Sequence, residues 1–151
     1  MTPPETIGLV ALGIAGFVAL WLANCALISR ISRWQRLASE FRVSPGSDLA
    51  PQIRPYVAWM RFHVRYDNVM HIDGDPEGLS LSVMFLFNFQ HPPLRIPWDQ
   101  IEVQNFTFLG LFSGMKLLLG REARIPLSFY NREARELVAQ YANRSLLQNQ
   151  S

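Results

Sequence analysis

From Ile7 to Ile28 the chain runs for 22 residues without a charge, and Asn24 is the only strongly polar side chain in the run. Coiled into an α-helix, such a run measures roughly 33 Å at about 1.5 Å per residue, enough to cross the hydrocarbon core of a bilayer. A chain of 151 residues leaves too small a soluble domain to bury a helix of that length on every side. A cleaved signal peptide would want a basic leading segment, but the flank MTPPET carries Glu5 instead. The stretch Leu22-Ala23-Asn24-Cys25 departs from a lipoprotein cleavage box at Asn24, where a small residue must precede the cysteine. The sequence therefore predicts a retained transmembrane helix over 7–28. No Lys or Arg precedes it, whereas Arg30, Arg33 and Arg36 follow at once. The positive-inside rule then places residues 1–6 outside the cell membrane and the rest in the cytoplasm, as a single-pass inner-membrane protein.

Within the span, Gly8, Ala11, Ala15, Ala19, Ala23 and Ala26 recur at steps of three or four, which aligns them on one side. Small faces let helices approach closely, so a homodimer or a partner helix is an expectation. The remaining composition, with 49% hydrophobic residues overall, excludes intrinsic disorder as the main state. One cysteine excludes an intrachain disulfide, and a net charge of +2 gives no signal for a nucleic-acid partner.

Residues 29–42 read SRISRWQRLASEFR, with Ile31, Trp34, Leu37, Ala38 and Phe41 at helical spacing. This predicts a juxtamembrane amphipathic helix, with Arg30, Arg33, Trp34 and Arg36 as membrane-interface residues. Residues 43–51, VSPGSDLAP, are turn formers and breakers and read as a linker. A soluble domain then occupies 52–148.

That domain opens with strand-like patterning. Tyr56–His63, Tyr66–Asp73, Leu79–Phe89, Leu94–Pro97, Asp99–Phe106, Gly114–Leu119 and Arg124–Phe129 give about seven short strands. Met84 and Leu86 interrupt the polar face of the third, which implies cover on both sides there. Asn131 is a suitable N-cap for a helix to about Leu147, whose apolar stripe runs through Ala134, Leu137, Val138, Tyr141, Ala142 and Ser145. The predicted class is α+β: a small barrel or bent sheet with a C-terminal helix closing its open end.

This layout resembles pleckstrin-homology-like (PH-like) and GRAM-like domains. Leu94-Arg95-Ile96-Pro97-Trp98-Asp99-Gln100-Ile101 is similar to the I-P-x-x-x-I step between middle strands of that group. The string GLSLSVMFLFNFQHPPLRIPWDQI, with its His-Pro-Pro-Leu-x-Ile-Pro-Trp core, resembles a signature of small bacterial membrane-anchored proteins of unknown function. Trp34, Leu37, Ala38 and Phe41 match the same pattern just after the membrane helix, so the resemblance covers about residues 34–130. It carries no activity over to any residue. Domains of this fold bind phosphoinositides, other headgroups or only protein, and fold alone does not choose among them.

Chemistry-bearing patterns are sparse. Asp73, Asp75, Glu77 and Gly78 begin like a calcium loop, but position twelve is Met84, so a β-turn is expected. His63, His71 and His91 are scattered, and His91 is expected to cap a turn or pack against Trp98. No phosphate loop, nucleophile elbow or paired His-Glu motif is present, so neither catalytic residues nor a cofactor are expected. Phe106 to Phe112 is apolar where a loop should be polar. Phe108, Leu109, Leu111 and Phe112 are accordingly candidate contacts to a partner or membrane, unless they fold into the core. Arg61, Arg65, Arg95, Arg121 and Arg124 are candidate headgroup contacts, provided that they converge on one rim. The function expected is a non-enzymatic interaction or scaffold module on the cytoplasmic membrane face, with another membrane protein as its partner. Recognition of an anionic lipid is the alternative, and an accessory-subunit role through the membrane helix is a third.

Overall fold

A computed structural model describes residues 3–43, 57–61 and 64–148. The first helix, α1 (Pro3–Ile31), contains the whole uncharged run and is long and apolar enough to cross a membrane. It ends where Arg33 takes a left-handed backbone (φ 59°), a conformation that no α-helix of L-residues can propagate. The short helix α2 (Trp34–Phe41) starts directly after that break. Most of the expected linker, residues 44–51, lies outside the described residues, as do the expected domain start at Gln52, Tyr56 and His63.

Eight strands follow among the described residues: β1 (Ala58–Met60), β2 (Val64–Tyr66), β3 (Met70–Gly74), β4 (Gly78–Val83), β5 (Leu94–Pro97), β6 (Ile101–Phe108), β7 (Phe112–Leu119) and β8 (Ile125–Phe129). The count exceeds the seven expected because the strand placed at Tyr66–Asp73 is interrupted. Asn68 adopts φ 52°, so pairing stops at Tyr66 and restarts at Met70. The strand placed at Leu79–Phe89 also stops early. After Val83 the chain forms a 3₁₀ turn at Phe85–Phe87, so Met84 and Leu86 interrupt the alternation because they are outside the strand.

All pairing is antiparallel. One open sheet has the order β2-β1-β8-β7-β6 and the other β3-β4-β5. The first and last strands thus pair side by side, Ala58 opposite Phe129 and Met60 opposite Leu127. Alternation sends Ala58, Met60, Met115, Leu117, Leu119, Ile125, Leu127 and Phe129 inward, where they meet Ile72, Leu79, Leu81, Leu94 and Ile96 from the other sheet.

The final helix, α3 (Arg132–Gln148), is capped as its sequence predicts: the Asn131 Oδ1 accepts from the Ala134 N–H at 2.9 Å. Its Tyr141 stacks on Trp98 with ring centres 6.2 Å apart, and Trp98 donates its indole N–H to the Asp75 carbonyl at 2.7 Å. Leu137 and Tyr141 press on Gly74, where an added Cβ would come within 2.8 Å of Leu137.

The juxtamembrane helix is amphipathic, but its apolar face is not spent on the membrane. Trp34, assigned to the interface on sequence grounds, is 0% exposed and lies in the core with Leu37 and Ala38. Its indole N–H donates to the Pro92 carbonyl at 2.9 Å. Further on, the backbone after α2 joins the smaller sheet, with Arg42 bridging to Leu94 and the Val43 N–H donating to the Pro93 carbonyl. The core of the domain therefore draws on Trp34, Leu37 and Ala38, ahead of the expected linker.

Candidate functional site

Two features stand out: the seating of the domain on α1, and a sheet face left open by the described residues. The seating comes from a stripe at i, i+4, i+8 on the last turns of α1. Trp21 donates to the Leu86 carbonyl at 3.1 Å and packs on Phe87 with ring centres 4.9 Å apart. Cys25 and Ser29 are buried, and the Ser29 hydroxyl donates to the Gln90 carbonyl at 2.6 Å. Gln35, just beyond the break, donates to the same carbonyl at 2.6 Å. These partners were not singled out by sequence reasoning. The one signal for them was the stretch Phe85-Leu86-Phe87-Asn88-Phe89, too apolar for a turn and too irregular for a strand.

A buried polar cluster lies beneath the break. Of the two roles expected for His91, it takes the turn-capping one, its ring nitrogen on the Phe89 carbonyl, and it packs edge-on against Trp34 and Tyr66 instead of Trp98. The residues concerned, 34, 66 and 91, meet only through the fold. Its Nδ1 is 3.1 Å from the Phe89 carbonyl, which can only accept, so Nδ1 carries the proton. Nε2 is then the acceptor facing the Tyr66 hydroxyl at 3.1 Å, and the Ser32 hydroxyl lies 3.1 Å from the same oxygen. Burial pushes the His91 imidazole below its ordinary value, against the opposing effect of the Phe89 and Phe87 carbonyls. Burial pushes the Tyr66 hydroxyl up to about 12, opposed by Ser32. Both groups are held neutral by their surroundings, which suits a structural cluster.

The outer face of the five-stranded sheet carries a groove of about 750 Å³. Trp59, Phe106 and Tyr130 give it aromatic walls, while Lys116 and Arg61 supply positive charge. Phe106 meets Tyr130 edge-on at 5.5 Å, and Arg65 lies over the Trp59 ring at 5.6 Å. Phe108 and Tyr130 also line a neighbouring hollow of about 390 Å³ with Leu111 and Phe112, so groove and hairpin tip form one continuous surface. At that tip β6 and β7 are joined by a tight turn. Leu109 and Gly110 both take positive φ (52° and 70°), and the Leu111 N–H returns to the Phe108 carbonyl. The tip does not fold into the core: Leu109 is 76% and Leu111 79% exposed, and Phe108 and Phe112 are exposed beside them.

The five candidate headgroup arginines are spread over the fold. Arg95 bridges the Asp75 and Glu77 carboxylates of the β3–β4 turn. Asp75 also accepts the Glu77 and Gly78 N–H groups at 2.8 and 3.1 Å, so the acidic motif is an Asx-type turn clamped by an arginine. Arg121 lies 3.8 Å from Asp99, and Arg124 pairs with Glu102 at 2.7 Å. Arg65 pairs with Asp67 at 2.5 Å. Four of the five are thus engaged by carboxylates, and Arg61 lines the groove. Arg30, Arg33 and Arg36 are exposed, and none forms an ion pair among the described residues. The small residues of α1 from Gly8 to Ala23 are exposed as well, on a face roughly a quarter turn from the Trp21–Ser29 stripe.

No family model, curated protein or solved structure matches this chain.

Proposed function

We propose that this chain is a single-pass membrane protein whose cytoplasmic domain is a divergent PH-like or GRAM-like module. Its work is non-enzymatic: it presents the groove between Trp59 and Tyr130 to a segment of another membrane protein. The observation that carries this reading is the docking of α1 onto the domain through Trp21, Cys25 and Ser29, with the aromatic groove left open by the described residues. A module fixed to its anchor meets membrane partners at high effective concentration, so a modest site suffices. The groove's aromatic walls and its Lys116 and Arg61 suit an apolar segment that also carries acidic side chains. The strand order supports the PH-like assignment in part. It is that of an up-and-down antiparallel barrel opened between β2 and β3 and between β5 and β6, with α3 packed on β3.

Site-specific photo-crosslinking in native membranes tests the proposal. A photoreactive residue in place of Phe106 should give one discrete protein adduct, lost on adding Lys116→Glu. The same residue at exposed Glu122, in the β7–β8 turn, should give none. Adducts of equal yield from both positions would overturn the reading.

A second reading has its own support. Arg30, Arg33 and Arg36 follow the apolar run with no ion pair among the described residues, and Arg42 borders a cavity of about 960 Å³ beside the Phe85 turn. Each arginine near an anionic surface contributes about 1 kcal/mol to its attraction.

A further inference from the structure

The segment from Met84 to Gln90 is the most apolar exposed surface of the domain outside the hairpin tip, and it is fixed beside α1. Phe85 is 78% and Leu86 59% exposed, and Phe89 is exposed too. In water such a loop would be an unfavourable surface. Its position gives it another surrounding. The Leu86 carbonyl meets Trp21, seven residues before Ile28, where the uncharged run ends. At about 1.5 Å per residue this is roughly 10 Å inside that end of the run. Four residues later the segment leaves at the level of Ser29, where Gln90 is held.

Most of its carbonyls have partners within the protein. The Met84 carbonyl accepts from the Phe87 N–H, that of Phe85 from the Asn88 N–H, and that of Asn88 from the His91 N–H. Those of Leu86, Phe89 and Gln90 accept from the side chains of Trp21, His91 and Ser29. Non-helical backbone at membrane depth relies on such partners within the protein, and here they serve the carbonyls.

We infer that Met84–Gln90 is a re-entrant element of the domain, sunk among the lipid acyl chains in the leaflet that holds the C-terminal end of α1. The inference rests on the reading of α1 as a membrane span. Phe85 and Leu86 project into the acyl region, and Asn88 and Gln90 stay near the headgroups. Burial of apolar side chains in lipid, and not headgroup chemistry, is then the contact that sets the height of the domain.

The test uses the full chain with Cys25→Ala, reconstituted in phosphatidylcholine vesicles containing acyl-chain nitroxide lipid. A fluorophore is attached in turn through Leu86→Cys, Phe85→Cys and Leu12→Cys. The expected result is loss of fluorescence at 86 and 85 on adding the acyl-chain nitroxide, with protection from aqueous iodide. Quenching at 12 without quenching at 85 or 86, together with iodide access there, would overturn the inference and leave the span intact. Absence of acyl-chain quenching at 12 would remove the span itself, and the inference with it. Trp21→Phe, which deletes the hydrogen bond to Leu86, should raise iodide access at 86 and leave position 12 unchanged.

Discussion

At the scale of single residues, the Tyr66–His91 pair gives the fold a defined pH window. His91 is lowered from its ordinary 6.5 by burial, so the unfolded chain takes up its proton first as pH falls. Its contribution to stability is complete above 6.5 and is lost as pH drops toward the folded value. Tyr66 is raised from 10.0 to about 12, so its contribution is complete below 10 and is lost as pH rises through that interval. Denaturation of the full chain in detergent micelles across pH should therefore show a plateau with a decline on each side. His91→Gln should flatten the onset of the acid decline and leave the alkaline one, and Tyr66→Phe should do the reverse. Profiles unchanged by either variant would contradict this account. The cluster was not legible in the sequence. His91 next to Pro92-Pro93 announces a turn, but its partners arrive from α2 and β2, and chain-distant contacts leave no local periodicity to read.

At the scale of elements, most strands were legible because alternation with period two is a direct consequence of a half-buried sheet. The misreadings fell where a backbone turn interrupts an apolar stretch, at Asn68 and after Val83. Helix α2 teaches a different lesson. Its spacing identifies an apolar face but says nothing of what covers that face, since a bilayer surface and a protein core ask for the same pattern. Trp34 and Leu37 are fully buried, so α2 belongs to the core. Leu37→Ala should destabilise the domain by about 2–5 kcal/mol, as large-to-small changes in cores do, whereas Arg36→Ala on the exposed side should be nearly neutral. Chemical denaturation followed by tryptophan fluorescence distinguishes these outcomes. Equal, small effects would return α2 to the membrane surface. A fragment cut at Val43 would lack both Trp34 and Leu37 and should not fold.

At the scale of the whole molecule, the positive-inside rule makes charge placement the expected determinant of orientation. Replacing Arg30, Arg33 and Arg36 together by Gln should give a mixed topology, read as partial protease protection of the domain in sealed vesicles. Unchanged single-sided accessibility would exclude these arginines as the determinant. The candidate site was half legible. The hairpin tip announced itself through Phe108, Leu109, Leu111 and Phe112, apolar where a turn should be polar. The groove did not, because Trp59 and Lys116 sit at outward positions of β1 and β7, and no sequence pattern tells which sheet face is left uncovered. The hydrogen bonds from Trp21 and Ser29 to the domain have a mechanical consequence. Spans lean by about 20° on average, and by more or less as bilayers thin or thicken. A domain of about 100 residues is roughly 30 Å across. Clamped to a membrane-spanning α1, it would swing like the hand of a gauge: a lean of about 20° would move its far rim by about 10 Å. With α1 as a membrane span, as proposed, bilayer thickness would thereby set the height and heading of the groove.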